Sequence, residues 1–319
     1  CLHLTDTDGY GYNQSDKQTS EVHMKSTVLL AMSIMFLLST SIGRMHAVPA
    51  PVATSDSEPK IIKLTNQVYR IMFPYRLRTN TGVFIGKEGT LVIDPGFKEM
   101  AAHLKQTVQK LSNAPLRFLL NTHPHGDHSA GNVIMNPDTR LINFTSLGSL
   151  TADGIMTKHN SKKSCRFGYF SHYYKLHLNG EEIRIYPAIG THSSQDIITH
   201  FVRNKVVFMG DLLLSPSFPA VSKKIKDYLK LISDAIDCFP DDAIFVSGHG
   251  KDLDKKGLKT YQEMLLTTRK LVRQAIARGL STKQIKQKQV LKAYRHYNDY
   301  LDWLTTDFWV DVVTKHMND

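Results

Sequence analysis

Asn121-Thr122-His123-Pro124-His125-Gly126-Asp127-His128 places three histidines and an aspartate within six positions. The run before it, Leu116-Arg117-Phe118-Leu119-Leu120, reads as a short buried strand, and Ser129 onward has the makings of a helix. The cluster therefore falls where a strand gives way to a loop, the position at which α/β sheets present chemistry. His123 and His125 are two apart, so on an extended segment both imidazoles face the same side. Gly126 permits a sharp turn, after which Asp127 and His128 swing back toward a second point. The spelling predicts two adjacent ligand sets rather than one.

Three further stretches place a histidine or an aspartate at a strand end or loop. Gly190-Thr191-His192-Ser193 supplies a histidine, Val206-Val207-Phe208-Met209-Gly210-Asp211 ends a strand on an aspartate, and Ile244-Phe245-Val246-Ser247-Gly248-His249-Gly250 ends another on a histidine. In this order and with HxHxDH at the start, the sequence resembles the metallo-β-lactamase superfamily. The resemblance implies an α/β fold, a four-layer αββα sandwich, here with a helical C-terminal tail. It also implies a ligand set. His123, His125 and His192 would hold one metal, and Asp127, His128 and His249 the other. Asp211 would bridge them, and Asp94, at the end of Gly89-Thr90-Leu91-Val92-Ile93-Asp94, would support the site from behind.

Imidazole nitrogen and carboxylate oxygen suit Zn²⁺, so two zinc ions per chain are expected. The implied activity is hydrolysis of an ester, thioester, lactone or lactam by a metal-bridged hydroxide, with Asp127 as the catalytic residue holding or relaying its proton. The expected partner is a small-molecule substrate. Three other readings stand beside this one. A β-lactamase proper is disfavoured because such enzymes usually carry cysteine or serine where this chain has Asp211. A single-iron persulfide dioxygenase would need fewer ligands than are present. A non-catalytic binding module would leave the metal set without a task. Leu214, where quorum-signal lactonases often have tyrosine, weighs against that subgroup. Lys223 and Lys224 are candidates to meet a substrate carboxylate.

The chain has 319 residues, 41% apolar, enough to bury a full core, and a formal net charge of +11. Lysines are dense in the predicted helices after Gly250, where a solvated face accounts for them. No Lys/Arg block with interleaved aromatics argues for nucleic acid. The cysteines are Cys1, Cys165 and Cys238, too few for a disulfide-stapled scaffold. Cys238, in the apolar run Ile236-Asp237-Cys238-Phe239, is expected as a buried free thiol.

Residues 1–23 read as a disordered or non-native extension. Met24-Lys25-Ser26-Thr27 followed by the apolar run Val28 to Leu38 reads as a signal peptide spanning 24–47, too short for a membrane span. Secretion or a periplasmic location follows, with no stable membrane insertion after cleavage. Residues 48–59 form a Pro-containing linker, and 60–319 the folded domain. Within it the patterning predicts helices at 97–111, 145–158, 225–239, 255–278, 281–287 and 290–315, and a hairpin turn at Asn179-Gly180. Residues 160–166 read as a basic loop. His172, His177 and His200 read as structural or exposed. Trp303, Phe308 and Trp309 are expected to pack the tail onto the body.

Overall fold

The computed structural model describes residues 58–135, 139–161 and 169–317. The predicted extension, the signal peptide, linker residues 48–57 and most of the basic loop lie outside the described residues.

Twelve strands form two six-stranded sheets. The first takes β1 (Lys60–Lys63), β2 (Val68–Met72), β3 (Asn80–Phe84), β4 (Thr90–Ile93), β5 (Leu116–Leu120) and β6 (Arg140–Ile142) side by side in chain order. The second takes β7 (Thr157–Asn160), β8 (His172–Leu178), β9 (Glu181–Pro187), β10 (Ile197–Phe201), β11 (Val206–Ser215) and β12 (Ile244–Gly250), again in order. In each sheet the early strands pair antiparallel as hairpins, while β4-β5-β6 and β11-β12 pair parallel. The Asn179-Gly180 turn joins β8 to β9 with both residues at positive φ, 53° and 71°, the backbone that a two-residue hairpin requires.

Strand alternation divides the core into layers. Leu91 and Ile93 of β4, Phe118 and Leu120 of β5, and Val206 and Phe208 of β11 all enter the layer between the sheets. The residues between them face outward. Val92 and Leu119 pack on Leu104 and Val108 of helix α1 (Lys98–Leu111). Val207 and Met209 pack with helices α5 (Ile225–Cys238), α6 (Lys255–Ala277) and α8 (Thr306–Lys315). Helix, sheet, sheet, helix is the expected αββα sandwich, with helices at the C-terminal end.

Several elements differ from expectation. The helix foreseen over 145–158 is a 3-10 turn (Phe144–Ser146) and a short helix α4 (Leu147–Ala152). Gly154 at φ 71° follows it, and Thr157–Asn160 pairs with β8 as the edge strand β7. Backbone pairing with an available sheet edge overrides the local helical pattern there. Between α2 (Gly126–Ser129) and α3 (Asn132–Met135) the chain turns twice, and helical geometry begins at Gly126, three residues earlier than the pattern suggested.

The tail is also broken. After α7 (Thr282–Gln287), whose Ser281–Gln284 capping box forms as the spelling predicts, a 3-10 segment (Lys292–Asn298) is separated from α8 by a loop. Thr305 caps α8 by accepting from the Phe308 amide. Cys238 is not a free thiol. It is disulfide-bonded, and the other cysteines, Cys1 and Cys165, lie outside the described residues.

Candidate metal centre

The parallel strands of both sheets run toward one edge, and the candidate residues meet there. β5 leads into His123 and His125, α2 carries Asp127 and His128, the loop before β10 carries His192, β11 carries Asp211 and β12 carries His249. The sheets are stitched together at this point, since the Ile197 amide donates to the Thr122 carbonyl at 2.8 Å. Asn80 of β3 spans the gap as well, donating through Nδ2 to the carbonyls of Ser247 and Gly250 on either side of His249.

The donor atoms fall into two clusters, His123, His125, His192 and Asp211 in one and Asp127, His128 and His249 in the other. In the first, His125 Nδ1 lies 3.0 Å from His123 Nε2 and 3.1 Å from His192 Nε2. In the second, His249 Nε2 lies 3.1 Å from Asp127 Oδ2 and 3.2 Å from His128 Nε2. Asp211 serves both. Its Oδ2 is 3.6 Å from His192 Nε2 and 3.8 Å from His123 Nε2, and its Oδ1 is 3.2 Å from His128 Nε2 and 3.4 Å from His249 Nε2.

The inner Nε2 of His123, His128, His192 and His249 is in each case aimed by a partner on the far side of the ring. His249 Nδ1 donates to the Leu77 carbonyl at 2.9 Å, and His192 Nδ1 to the Ala220 carbonyl at 3.0 Å. Asp94 Oδ2 accepts from Thr122 Oγ1 at 2.6 Å and from His128 Nδ1 at 2.9 Å. Thr122 Oγ1, with its proton committed to Asp94, accepts from His123 Nδ1 at 3.1 Å. These partners fix the tautomers, so in the neutral rings the Nε2 lone pairs of His123, His128, His192 and His249 all point inward. Lone pairs 3.2 Å apart and facing carboxylates repel one another unless a positive charge sits among them. Asp211 Oδ1 is buried without a well-formed hydrogen bond, which a cation would satisfy. The donor set fits two metal ions.

The electrostatics point the same way. Burial opposes charge on His249, but Asp211 and Asp127 outweigh it and push the ring up to about 9. His128 is fully buried, and Asp211 and Asp94 nevertheless hold it well above the usual histidine range. Burial would raise the Asp127 carboxyl, and hydrogen bonds from His128 and His249 reverse this and hold it well below the usual carboxylate range. In the other cluster burial, reinforced by His128, drives His123 down to about 2. One cluster thus attracts positive charge and the other keeps bare imidazole lone pairs.

Local backbone features make room for this. Asp94 is at φ 52°, a left-handed conformation that aspartate tolerates and that turns its carboxylate off the strand end. Between Gly210 and Leu214 the β11 register slips against β12, three residues facing one, and the resulting bulge carries Asp211. A Cβ at Gly248 would sit 2.0 Å from Asp211 Oδ1, so only glycine lets β12 pass.

Patterning alone did not flag Thr122, Gly248, Asn80 or Asp196. Asp196 Oδ2 accepts from the amides of His192 and Ser193 at 3.0 and 2.7 Å and so shapes the His192 loop. Its signal was the Ser193-x-x-Asp196 spacing. His172, His177 and His200 join neither cluster.

Over the centre lies a cavity of about 280 Å³. Its floor includes His125, Asp127, His192, Asp211 and His249, and its walls are Leu77, Leu214, Val221, Leu301, Trp303 and Phe308. Trp309 packs the tail as expected, fully buried, stacked on Phe218 and donating to Thr268 Oγ1 at 2.8 Å. Trp303 does not. It is 47% exposed at the cavity, because the loop between the 3-10 segment and α8 turns it outward. Lys223 and Lys224 do not line the cavity, and the Lys223 side chain lies across Gly190.

Paired His/Asp clusters thus lie at one edge of an αββα sandwich. The sequence model of the metallo-β-lactamase superfamily matches residues 74–135, from the β2–β3 loop through the HxHxDH segment. Over that segment the chain is similar to the superfamily. Its structure is similar to that of a metallo-β-lactamase from Pontibacter korlensis, with TM-score 0.52 and 16% identity over 65% of this chain and 98% of that one. It is also similar to a double mutant of the sec-alkyl sulfatase PisA1, with TM-score 0.51 and 13% identity over 72% of this chain and 45% of that one. At these identities the likeness is one of fold. No curated protein matches the sequence. Among the described residues no helix is long and apolar enough to cross a membrane.

Proposed function

We propose that the chain is an exported hydrolase that binds two zinc ions and cleaves a small ester, thioester, lactone or lactam. His123, His125 and His192 would hold one ion, Asp127, His128 and His249 the other, and Asp211 both. The observation that carries this reading is the division of Asp211, one carboxylate oxygen toward each cluster. Zinc at these positions supplies Lewis acidity, which ionises water near neutral pH and polarises a carbonyl. The residues of the chain do the rest. Asp127 borders the cavity and is placed to take a proton from the attacking water and return it to the leaving atom. The Leu77 and Ala220 carbonyls and Asp94 keep the imidazoles oriented, and the apolar walls exclude bulk water. The disulfide at Cys238 and the apolar run at 28–38 support export, since disulfides persist in oxidising compartments.

Metal analysis of purified protein tests the assignment. About two zinc ions per chain are expected, and one iron would point to oxygen chemistry instead. A chromogenic panel of cephalosporin, lactone, thioester and phosphodiester, run with and without chelator, then identifies the bond cleaved. Asp127→Ala and His249→Ala are each expected to lower turnover by orders of magnitude with the fold retained. Turnover near the parental rate in both variants would overturn the roles.

A further inference from the structure

The cavity walls say more about the substrate than the centre does. Trp303, Phe308 and Leu301 come from the tail, Leu77 from the β2–β3 loop, and Leu214 from β11. Leu214 and Leu301 are 1% and 4% exposed and cluster with fully buried Leu304. The tail segment is tied across to the β2–β3 loop. Arg78 donates to the Tyr300 carbonyl at 2.9 Å, and its guanidinium sits 4.4 Å from the Tyr300 ring centroid. Trp303 and Phe308 meet edge to face at 5.8 Å. The wall is therefore built into the fold, and no lysine or arginine lines it. A substrate carboxylate held against these walls, away from the metal-binding floor, would leave water without gaining a cationic partner, which is unfavourable.

Resting on the hydrolytic reading of the centre, we propose that this cavity selects the uncharged acyl group of a small ester or thioester. Trp303 stands at the mouth, and Leu77, Leu214 and Leu301 set the chain length. A cavity of about 280 Å³ lies at the small end of the roughly 300–1,000 Å³ range of small-molecule sites. In the reaction water oxygen bonds to the acyl carbon, the bond from that carbon to oxygen or sulfur breaks, and the departing atom leaves with the proton that Asp127 relays.

The chain has two tryptophans, one buried in the core and one at the cavity, so Trp303 is a built-in optical reporter. Binding of uncharged straight-chain amides, acetamide through octanamide, is followed by tryptophan fluorescence on the zinc-loaded protein. Affinity should rise about fourfold per methylene and level off within the series, once the chain fills the apolar wall. Succinamate should bind at least tenfold more weakly than pentanamide, and Trp303→Phe should abolish the optical change.

Affinity indifferent to chain length, a preference for succinamate, or a signal that survives in Trp303→Phe overturns the proposal. A matching series of acyl thioesters separates it from the hydrolytic reading. Ordered amide binding with no metal-dependent turnover of any thioester defeats the hydrolase and leaves the pocket assignment standing. Turnover without chain-length preference does the reverse.

Discussion

Asp94 Oδ2 lies 2.9 Å from His128 Nδ1, an ion-pair geometry between a residue at the end of β4 and one in a helical turn thirty-four positions later. The same carboxylate accepts the Thr122 amide through Oδ1 at 2.8 Å. It therefore holds the start of the His123 loop and the orientation of His128 at once.

Asp94→Asn keeps the size and replaces one acceptor oxygen with a donor, so one of these bonds becomes donor against donor. Zinc affinity is expected to fall about 10- to 100-fold, the usual effect of losing a carboxylate behind a ligating histidine. Competition against a chromogenic chelator measures it, and an unchanged affinity would show that the Thr122 and His128 bonds are dispensable.

Gly248→Ala forces a methyl group to within 2.0 Å of Asp211 Oδ1 and 2.7 Å of the Gly210 carbonyl carbon. Backbone and carboxylate must both move. A loss of about 1–3 kcal/mol in unfolding free energy is expected, together with weakened zinc binding. Urea denaturation with and without zinc reports both effects.

His200 gives the fold an acid limit unrelated to the centre. It lies in β10, 4% exposed, with neither ring nitrogen hydrogen-bonded. Burial, and secondarily Arg184, lowers it to about 3, with Glu182 opposing. The unfolded chain binds a proton near pH 6.5 and the folded chain does not, so the neutral ring costs nothing above pH 6.5. Stability is lost as pH falls from there toward 3, by at most about 1.4 kcal/mol per pH unit from this group. His200→Leu should flatten the stability profile between pH 6 and 4. A slope identical to the parent's would remove His200 from the account.

The disulfide at Cys238 anchors the end of α5, which packs on the outer face of the second sheet. Cys238→Ser is expected to lower stability by about 2–5 kcal/mol, and reductant should lower the parent's melting temperature but not the variant's. Coincident melting curves for the parent with and without reductant would contradict this.

The sandwich and the convergence of the seven donor residues were legible because strand-end signals are local. An apolar run followed by Asp or His needs no knowledge of what lies across the sheet. Thr122, Asn80 and Gly248 were not legible. Their roles depend on atoms 28, 167 and 37 positions away in sequence, Asp94, Ser247 and Asp211. The edge strand Thr157–Asn160 was misread as helix for the same reason, since its conformation is set by its β8 partner. Cys238 looked like a core thiol because its apolar neighbours carry no trace of a bonded sulfur. Trp303 was misplaced because aromatic residues near a chain terminus usually anchor, and only the break before Thr305 turns this one outward.

One part of the cavity wall, Leu301, Trp303 and Phe308, is written in a stretch of the gene apart from the atoms beneath it. Nothing between residues 301 and 308 contributes to the clusters at 123–249. Mutations at its cavity-facing positions can retune which molecules are admitted while the chemistry below is inherited intact. A library confined to Leu301, Trp303 and Phe308, built on an unaltered centre, is therefore the economical route to new substrate preferences in this scaffold.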